Sequence, residues 1–532
     1  MTYLLSIRTA TVASLLFTLI GSTSLAADLS RPNILFIMSD DHTTQAIGAY
    51  GSRLAALDPT PNIDRLAAEG MRFDLTFCNN SICTPSRASI ITGQYSQTHG
   101  VLDLNGNIAP ENQHLAHEMK AAGYHTAMVG KWHLKQEPAA FDYYCVLPGQ
   151  GKYHNPQFRL QGDKPWPKNT ITKQGQHSSD AITDISLAWL KDQWNREQPF
   201  FLMHHFKAPH DMFQNAARYD DYLEGTEIPE PASLFNPLPP GAGSVATRGE
   251  NDSLVHLIGA GVTRRCNTWQ LGRRLGIDQS LQDPEYGKQV YQLYLKRYLR
   301  CVKGVDDNVK RLLDYLEAEK LIDNTVILYT GDQGFFLGEH DLMDKRWMYE
   351  EAFRMPLLVR YPKLIKPGST NAWLINNTDF APTMLQLAGV KQTPAYMQGH
   401  SFVNALAGKE KPSDWRTATY YRYWMHMAHN LGTPAHFGVR SERYKLIFFY
   451  GTDFVKNKNA KKDGNRSFAN TPAAWEFYDL AKDPSEMRNE YNNPEYKAEI
   501  AQLKAELKRQ RAELNETDEK YPFIESIIDK HW

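Results

Sequence analysis

Cysteine is scarce in this chain. Cys78, Cys83, Cys145, Cys266 and Cys301 are five among 532 residues, too few for a disulfide framework to hold the fold together. An odd count leaves at least one thiol to explain in an exported protein, and whether the other four pair is open. Charge of one sign is also missing: 59 Lys and Arg stand against 60 Asp and Glu. That balance gives no reason to expect nucleic acid as a partner, and a charged ligand must be met by a local cluster of charge. Beyond the first twenty or so positions no stretch is long and apolar enough to cross a bilayer. No internal repeat is present, which argues against a solenoid.

What is there is an ordinary globular composition, 42% hydrophobic and 22% charged, with length for one large domain and a smaller companion. Arg8, the apolar stretch Ala10 to Ile20 and the small-residue triplet Ser24-Leu25-Ala26 read as a secretory signal peptide over residues 1–26. The chain is therefore expected to be secreted or periplasmic. No cysteine lies near the cleavage region, so no stable membrane anchor is expected.

Asn33-Ile34-Leu35-Phe36-Ile37-Met38 is a continuous apolar run, the pattern of a strand covered on both faces. His125 to Val129, Phe200 to His204 and Thr325 to Tyr329 share its character. Helical patterns lie between them. Ser178 or Ser179 caps one with Ile182, Ile185, Trp189 and Leu190 on a single face, and a longer one carries Val290, Tyr294, Cys301, Val305, Val309, Leu312 and Leu316. The expected fold class is α/β, a large mixed, mostly parallel sheet flanked by helices. Tyr143 to Gln176 and Ile228 to Asn251 are rich in Gly, Pro and polar residues and read as surface excursions that shape the mouth of a pocket. After about Leu406 the texture changes. Thr417 to Tyr423 and Phe437 to Tyr450 look like strands, and an amphipathic helix with Ile500, Leu503 and Leu507 follows Pro494. This predicts a catalytic domain over 27–405 and a smaller C-terminal α+β domain with an antiparallel sheet over 406–532.

Each buried strand runs into polar residues: Ser39-Asp40-Asp41-His42, Gly130-Lys131-Trp132-His133, His204-His205-Phe206-Lys207-Ala208-Pro209-His210, and Gly331-Asp332-Gln333-Gly334. Ligands bind at the carboxyl ends of strands in open α/β sheets. Asp40, Asp41, Asp332 and Gln333 offer only oxygen donors, which suits a hard divalent cation such as calcium; capping of a following turn is the plainer alternative for the Asp pair. Lys131, His133, Lys207, His210 and Lys345 bring positive or protonatable groups to the same rim, as for a tetrahedral anion. For Lys345-Arg346 a solvated basic patch fits equally. Pro85 suits the first turn of a helix that runs through Ala88-Ser89-Ile90-Ile91 and stops at Gly93, which puts Cys83 at a helix N-terminus, with Arg87 one turn on. A thiol placed there either favours an anionic form or merely caps and packs.

Cys83-Thr84-Pro85-Ser86-Arg87-Ala88-Ser89, with Thr92-Gly93-Gln94-Tyr95 behind it, resembles the signature of the formylglycine-dependent sulfatases of the alkaline phosphatase superfamily. The Asp40-Asp41 pair, Gly130-Lys131-Trp132-His133, Ala208-Pro209-His210, Gly331-Asp332-Gln333-Gly334 and Lys345 ahead of Arg354-Met355-Pro356-Leu357 are similar to that family's blocks, in its order. Phe477-Tyr478-Asp479-Leu480 with Asp483-Pro484 carries the resemblance into the C-terminal part. The resemblance implies an alkaline phosphatase-like fold and a sulfuric ester hydrolase. It further implies that a separate maturation enzyme oxidises Cys83 to formylglycine (3-oxoalanine), whose hydrate attacks sulfur. One calcium ion would be held by Asp40, Asp41, Asp332, Gln333 and the modified residue 83. Arg87 would stabilise the diol with His133 hydrogen-bonded to it, Lys131 and Lys345 would grip the sulfate, and His210 would protonate the departing alcohol. Gln333 departs from the Asn commonest at that position. Gly338-Glu339-His340 with Asp344-Lys345-Arg346 and Tyr349-Glu350 is similar in style to carbohydrate sulfatases, which makes a sulfated carbohydrate the expected substrate and Lys207, His340, His436 and Arg440 the candidate contacts, with His426 and His429 beside them. Two other expectations stand next to this one: a phosphonate or phosphate ester hydrolase of the same superfamily, and a sulfated-glycan-binding protein in which Cys83 is never matured.

Overall fold

The structure, a computed structural model, describes residues 31–234, 276–282, 285–430, 433–455, 462–463, 466–467 and 470–532. The expected signal peptide, Cys266 and most of the second excursion lie outside them. Ten strands form the main sheet: β1 (Asn33–Asp40), β2 (Met71–Phe73), β3 (His125–Lys131), β4 (Tyr143–Leu147), β5 (Gln157–Leu160), β6 (Thr170–Thr172), β7 (Phe200–Pro209), β8 (Thr325–Gly331), β9 (Leu357–Arg360) and β10 (Ser369–Asn371). Their order is β10-β2-β9-β8-β1-β7-β3-β4-β5-β6. The central strands β8, β1, β7, β3 and β4 are parallel, and β9 runs antiparallel between β8 and β2. The mixed, mostly parallel sheet expected from the sequence is thus present.

The apolar run of β1 follows from its position. Alternate side chains face opposite ways: Ile34, Phe36 and Met38 enter one core and Leu35 and Ile37 the other, all fully buried. On the first side pack α2 (Cys83–Thr92), α3 (His114–Ala121) and α6 (Phe380–Leu387); on the second, α1 (Pro61–Ala68), α4 (Ser178–Asp192) and the long α5 (Glu285–Ala318). Every apolar residue that the period assigned to α5 is buried. The cap of α4 differs from expectation. His177, not a serine, is the N-cap, and its side chain accepts from the Ser179 N–H. The first excursion also differs: within Tyr143 to Gln176 the chain makes β4, β5 and β6, which extend the sheet to its edge.

A second, antiparallel sheet is built from β11 (Ala418–Tyr423), β12 (His436–Ser441), β13 (Tyr444–Phe449) and β14 (Ala474–Asp479), in that order. The stretch read as one strand, Phe437 to Tyr450, is the hairpin β12–β13. One face of this sheet, including Val439, Leu446 and Phe448, is covered by α7 (Lys497–Glu513) and α8 (Pro522–His531) through Leu503, Leu507, Ile524 and Ile528. The other face, with Tyr421, Tyr423, Ile447, Phe449 and Tyr478, joins the core of the large sheet.

Polar groups are buried along that seam. Glu476 accepts through Oε2 from the hydroxyls of Tyr349 (2.8 Å) and Tyr478 (2.7 Å), while its Oε1 has no partner. Burial pushes its carboxyl up to about 8. The folded chain therefore holds a proton here that the unfolded chain releases near the ordinary glutamate range. The group's stabilising contribution is complete below that range and is lost as pH rises toward 8, at roughly 1 kcal/mol per pH unit. Glu476→Gln is expected to flatten the fall in melting temperature between pH 5 and 8, and an unchanged pH profile would refute the buried protonated carboxyl.

Candidate active site

Four strand ends of the main sheet deliver their side chains to one edge. β1 ends in Asp40 and is followed by Asp41; β8 is followed by Asp332 and Gln333. One carboxylate oxygen from each of Asp40, Asp41 and Asp332 lies within 4.8 Å of the others, and all three residues are fully buried. Asp41 has φ of +65°, a left-handed conformation that short polar side chains tolerate best. It brings two successive carboxylates to the cluster where an extended chain would point them apart.

Cys83 opens α2 as the sequence predicts, and Gly93 closes it in the left-handed conformation at φ +69°. The thiol lies 3.3 Å from Asp40 Oδ1 and is 1% exposed. The helix N-terminus does not make it an anion: burial, with the adjacent Asp40 carboxylate, pushes the thiol well above its ordinary range. Unoxidised, it is a poor nucleophile at neutral pH.

Three cations answer the three carboxylates. Arg87 donates through Nε to Asp332 (3.0 Å) and through a terminal nitrogen to Asp40 (3.4 Å). Lys131, from the end of β3, pairs with Asp40. Lys345 donates to Asp41 at 2.6 Å. It is flanked by Asp344 at φ +87° and Arg346 at φ +89°, backbone conformations that persist only where the surroundings impose them. Burial pulls the Lys345 ammonium down, but Asp41 and its other neighbours outweigh it and hold the group well above its usual range. Asp40 is held well below its usual range, Lys131, His210 and Arg87 outweighing its burial. Asp332 is pushed up to about 7 by burial and by Asp40, and Asp41 is raised by its burial and by Asp40, against Lys345. A set of carboxylates that still repel one another after three cations are in place suits a divalent ion. Gln333 adds to the fit: its Nε2 donates to Asp41, while its Oε1 is buried without a partner.

The remaining rim residues divide. A His210 ring nitrogen lies within 4.8 Å of Cys83 and Asp40, with Nε2 3.8 Å from Asp41 and Nδ1 2.6 Å from the Asp211 carboxylate. Tyr153 donates its hydroxyl to the His210 carbonyl. The Lys207 ammonium lies over the Tyr153 ring at 4.6 Å, and burial and Lys131 lower it to about 8. His133, partly exposed, faces the Thr84 hydroxyl at 3.4 Å, and burial with Lys131 and Arg87 keeps it well below the usual histidine range. His340 is 1% exposed and stacks on Tyr349, with Glu351 3.7 Å from Nε2. His436 is fully buried among Trp347, Tyr421, Tyr423 and Phe449, and its Nδ1 donates to the Pro434 carbonyl, 2.8 Å away. Arg440 is paired with Glu350 at 3.2 Å and lies over Phe77. All three side chains are buried against aromatic neighbours. Arg346 is no solvated patch either: it is buried, bonded to Asp344 (2.6 Å), Tyr423 (3.0 Å) and His429 (2.8 Å). Gln150, which no motif marked, accepts from Lys131 at 2.6 Å; its signal was the excursion that carries it, expected to shape the pocket mouth.

Carboxylates, a cysteine in the first turn of a helix and lysines meet at one strand edge, an arrangement suited to hydrolysis of an anionic ester, and the chain belongs to the sulfatase family. The family model for sulfatase matches residues 32–390, and that for N-sulphoglucosamine sulphohydrolase, C-terminal, matches residues 338–513. The chain is 38% identical to N-acetylglucosamine-6-O-sulfatase of Bacteroides thetaiotaomicron over 93% of this chain and 89% of the relative. It is 28% identical to human N-acetylglucosamine-6-sulfatase over 76% of this chain and 69% of that one. A solved structure of a protein in complex with its substrate, D-glucosamine-2-N,6-O-disulfate, superposes with a TM-score of 0.77 at 37% identity, covering 92% of this chain and 99% of the other. The resemblance read from the motifs is borne out, and the protein is a sulfuric ester hydrolase. Among the described residues no helix is long and apolar enough to cross a membrane.

Proposed function

We propose that this sulfatase removes the 6-O-sulfate of a sulfated glucosamine or N-acetylglucosamine unit in a carbohydrate, outside the cytoplasm, through formylglycine made from Cys83 by a maturation enzyme and with one calcium ion. The observation that carries the substrate is the 38% identity to an N-acetylglucosamine-6-O-sulfatase along nearly the whole of both chains. The buried oxygen donors of Asp40, Asp41, Asp332 and Gln333, with residue 83, would hold the ion. When present, the ion draws off charge from the sulfate and the oxidised residue 83 supplies an oxygen nucleophile. Lys131 and Lys345 meet the sulfate oxygens. Arg87 fixes Asp332 and Asp40, and His133 stands beside the start of α2. Asp211 holds the His210 ring through Nδ1, which leaves Nε2 to give a proton to the departing alcohol. Lys207 is the candidate contact for the sugar or a second anionic group. His340, His436 and Arg440, buried against their neighbours, act through packing. Residues 1–26 would direct export, and 27–405 and 406–532 would be the two structural units.

Release of sulfate from N-acetylglucosamine-6-sulfate, compared with galactose-based sulfates, an aryl phosphate and phenylphosphonate, tests the assignment. Preference for a galactose sulfate overturns the sugar, and preference for phosphorus esters overturns the reaction. His210→Ala is expected to slow hydrolysis of this alkyl sulfate by about 10²- to 10⁴-fold and of nitrophenyl sulfate much less. Equal losses on both would remove His210 as the acid. Gln150→Ala deletes one charge-assisted hydrogen bond to Lys131 and is expected to lower kcat/KM by about 10-fold; steady-state kinetics on the same sugar sulfate check it, an unchanged value denying Gln150 that role.

A further inference from the structure

Before any oxidation, Cys83 presents a thiol, and with Asp40 and His210 it forms a softer donor set beside the all-oxygen one. We propose that the chain as translated binds a thiophilic divalent cation of the zinc class on Cys83 Sγ, an Asp40 carboxylate oxygen and His210 Nε2, and that oxidation of Cys83 abolishes this site.

The three donor groups lie within 4.8 Å of one another and all three residues are buried. A tetrahedral ion with bonds of about 2.3 Å to sulfur and 2.0 Å to oxygen sets those two donors roughly 3.5 Å apart. Cys83 Sγ and Asp40 Oδ1 stand at 3.3 Å, already at that spacing. The imidazole is turned the right way for independent reasons. Its Nδ1 lies 2.6 Å from Asp211 Oδ1 and 2.8 Å from the Asp211 carbonyl oxygen, both acceptors, so the proton of the neutral ring belongs on Nδ1. The lone pair is then on Nε2, the nitrogen 3.8 Å from Asp41 on the cluster side. A carboxylate behind a ligating histidine is the usual outer support of a zinc site. Tyr153, bonded to the His210 carbonyl, fixes the backbone from the other side.

Softness decides which ion enters. A thiolate and an imidazole beside one carboxylate favour zinc over calcium, whereas the all-oxygen set of Asp40, Asp41, Asp332 and Gln333 favours calcium. Binding releases one proton, from the Cys83 thiol, and the dication then takes one thiolate and one carboxylate as its charged ligands, with the Asp41 and Asp332 carboxylates close by. Three protein ligands leave a fourth position for water. Asp40 belongs to both sets, so the two ions compete, and replacing the sulfur of residue 83 by oxygen shifts the balance to the hard ion. That last step rests on the formylglycine assignment above; the soft site itself does not.

Full-length protein is made in a host lacking the maturation enzyme, its thiol verified by intact mass, stripped with chelator and titrated with cobalt(II), then with zinc. One equivalent of cobalt with a thiolate-to-cobalt charge-transfer band in the near ultraviolet is expected, displaced by zinc. Cys83→Ser should lose the band and one equivalent of zinc, and Asp211→Asn should weaken zinc binding by about 10- to 100-fold. Circular dichroism confirms the fold of each variant. A full equivalent bound with an undiminished band in Cys83→Ser, or no charge-transfer band in the wild type, overturns the proposal. Because the readout is absorption and metal content, the result stands apart from whether the matured enzyme hydrolyses glucosamine sulfates.

Discussion

With Cys83 replaced by alanine, sulfate-ester hydrolysis is expected to fall by at least about 10⁴-fold, as for loss of other enzyme nucleophiles, while the fold persists. Among the described residues the thiol's hydrogen-bond contacts are Asp40 Oδ1 at 3.3 Å and Gln333 Nε2 at 4.0 Å, both weak sulfur interactions. Asp40 keeps Lys131 and Arg87, so no carboxylate is stranded. The deletion costs a sulfur-sized cavity at the start of α2, about 1 to 2 kcal/mol. Comparing turnover with the melting curve separates the two effects. Retained turnover by a folded Cys83→Ala protein would end the nucleophile assignment, and a protein that fails to fold would show that Cys83 is structural.

The largest expected loss of stability lies away from the chemistry. Lys445, fully buried on β13, donates to the Met348 carbonyl at 2.7 Å and pairs with Glu350 at 2.9 Å and Glu486 at 2.7 Å. Glu350 keeps a second partner in Arg440, which holds its carboxyl below the usual range against its burial. Among the described residues Glu486 has no second ion pair: its other oxygen accepts the Glu350 N–H. Lys445→Met fills the same space but leaves that carboxyl unpaired in the interior, at an expected cost of about 3 to 5 kcal/mol. Chemical denaturation of wild type and variant measures it. The double change Lys445→Met with Glu486→Gln should recover much of the loss, and absence of any rescue would mean that the ammonium contributes through packing.

Much of this was legible in the sequence because the signals are local. Alternate residues of Ile34 to Met38 must enter two cores, so both must be apolar, and an uninterrupted run announces a central parallel strand. Polar residues that directly follow such strands have one edge to occupy, which is why Asp40, Lys131 and Asp332 could be grouped before any coordinates. Proline in the first turn and glycine at the end bracketed α2 within a residue. Pairings between distant segments carry no such signature. Lys445 with Glu486, Arg440 with Glu350, and Arg346 with Tyr423 are charged or polar side chains whose sequence neighbourhoods look solvated, and only the docking of the small sheet makes them interior. His436, a candidate sugar contact by sequence, sits in an aromatic box of four residues from three other segments, an arrangement with no local signature. Gln150 was hidden in an aperiodic stretch because its role depends on where β4 and β5 carry the intervening loop.

The hydroxyl of Tyr421, on β11, donates to the Arg346 carbonyl at 2.8 Å and meets Ser81 Oγ at 2.5 Å. One contact is next to Lys345 and the other two residues before Cys83. The small sheet therefore sets the spacing between the proposed nucleophile and a proposed sulfate contact, although it contributes neither. Cutting the chain at the boundary would not yield a smaller catalyst, and warming it should not produce a state in which the C-terminal part has loosened while the pocket survives. Loss of activity and melting of that sheet are therefore expected to coincide on heating.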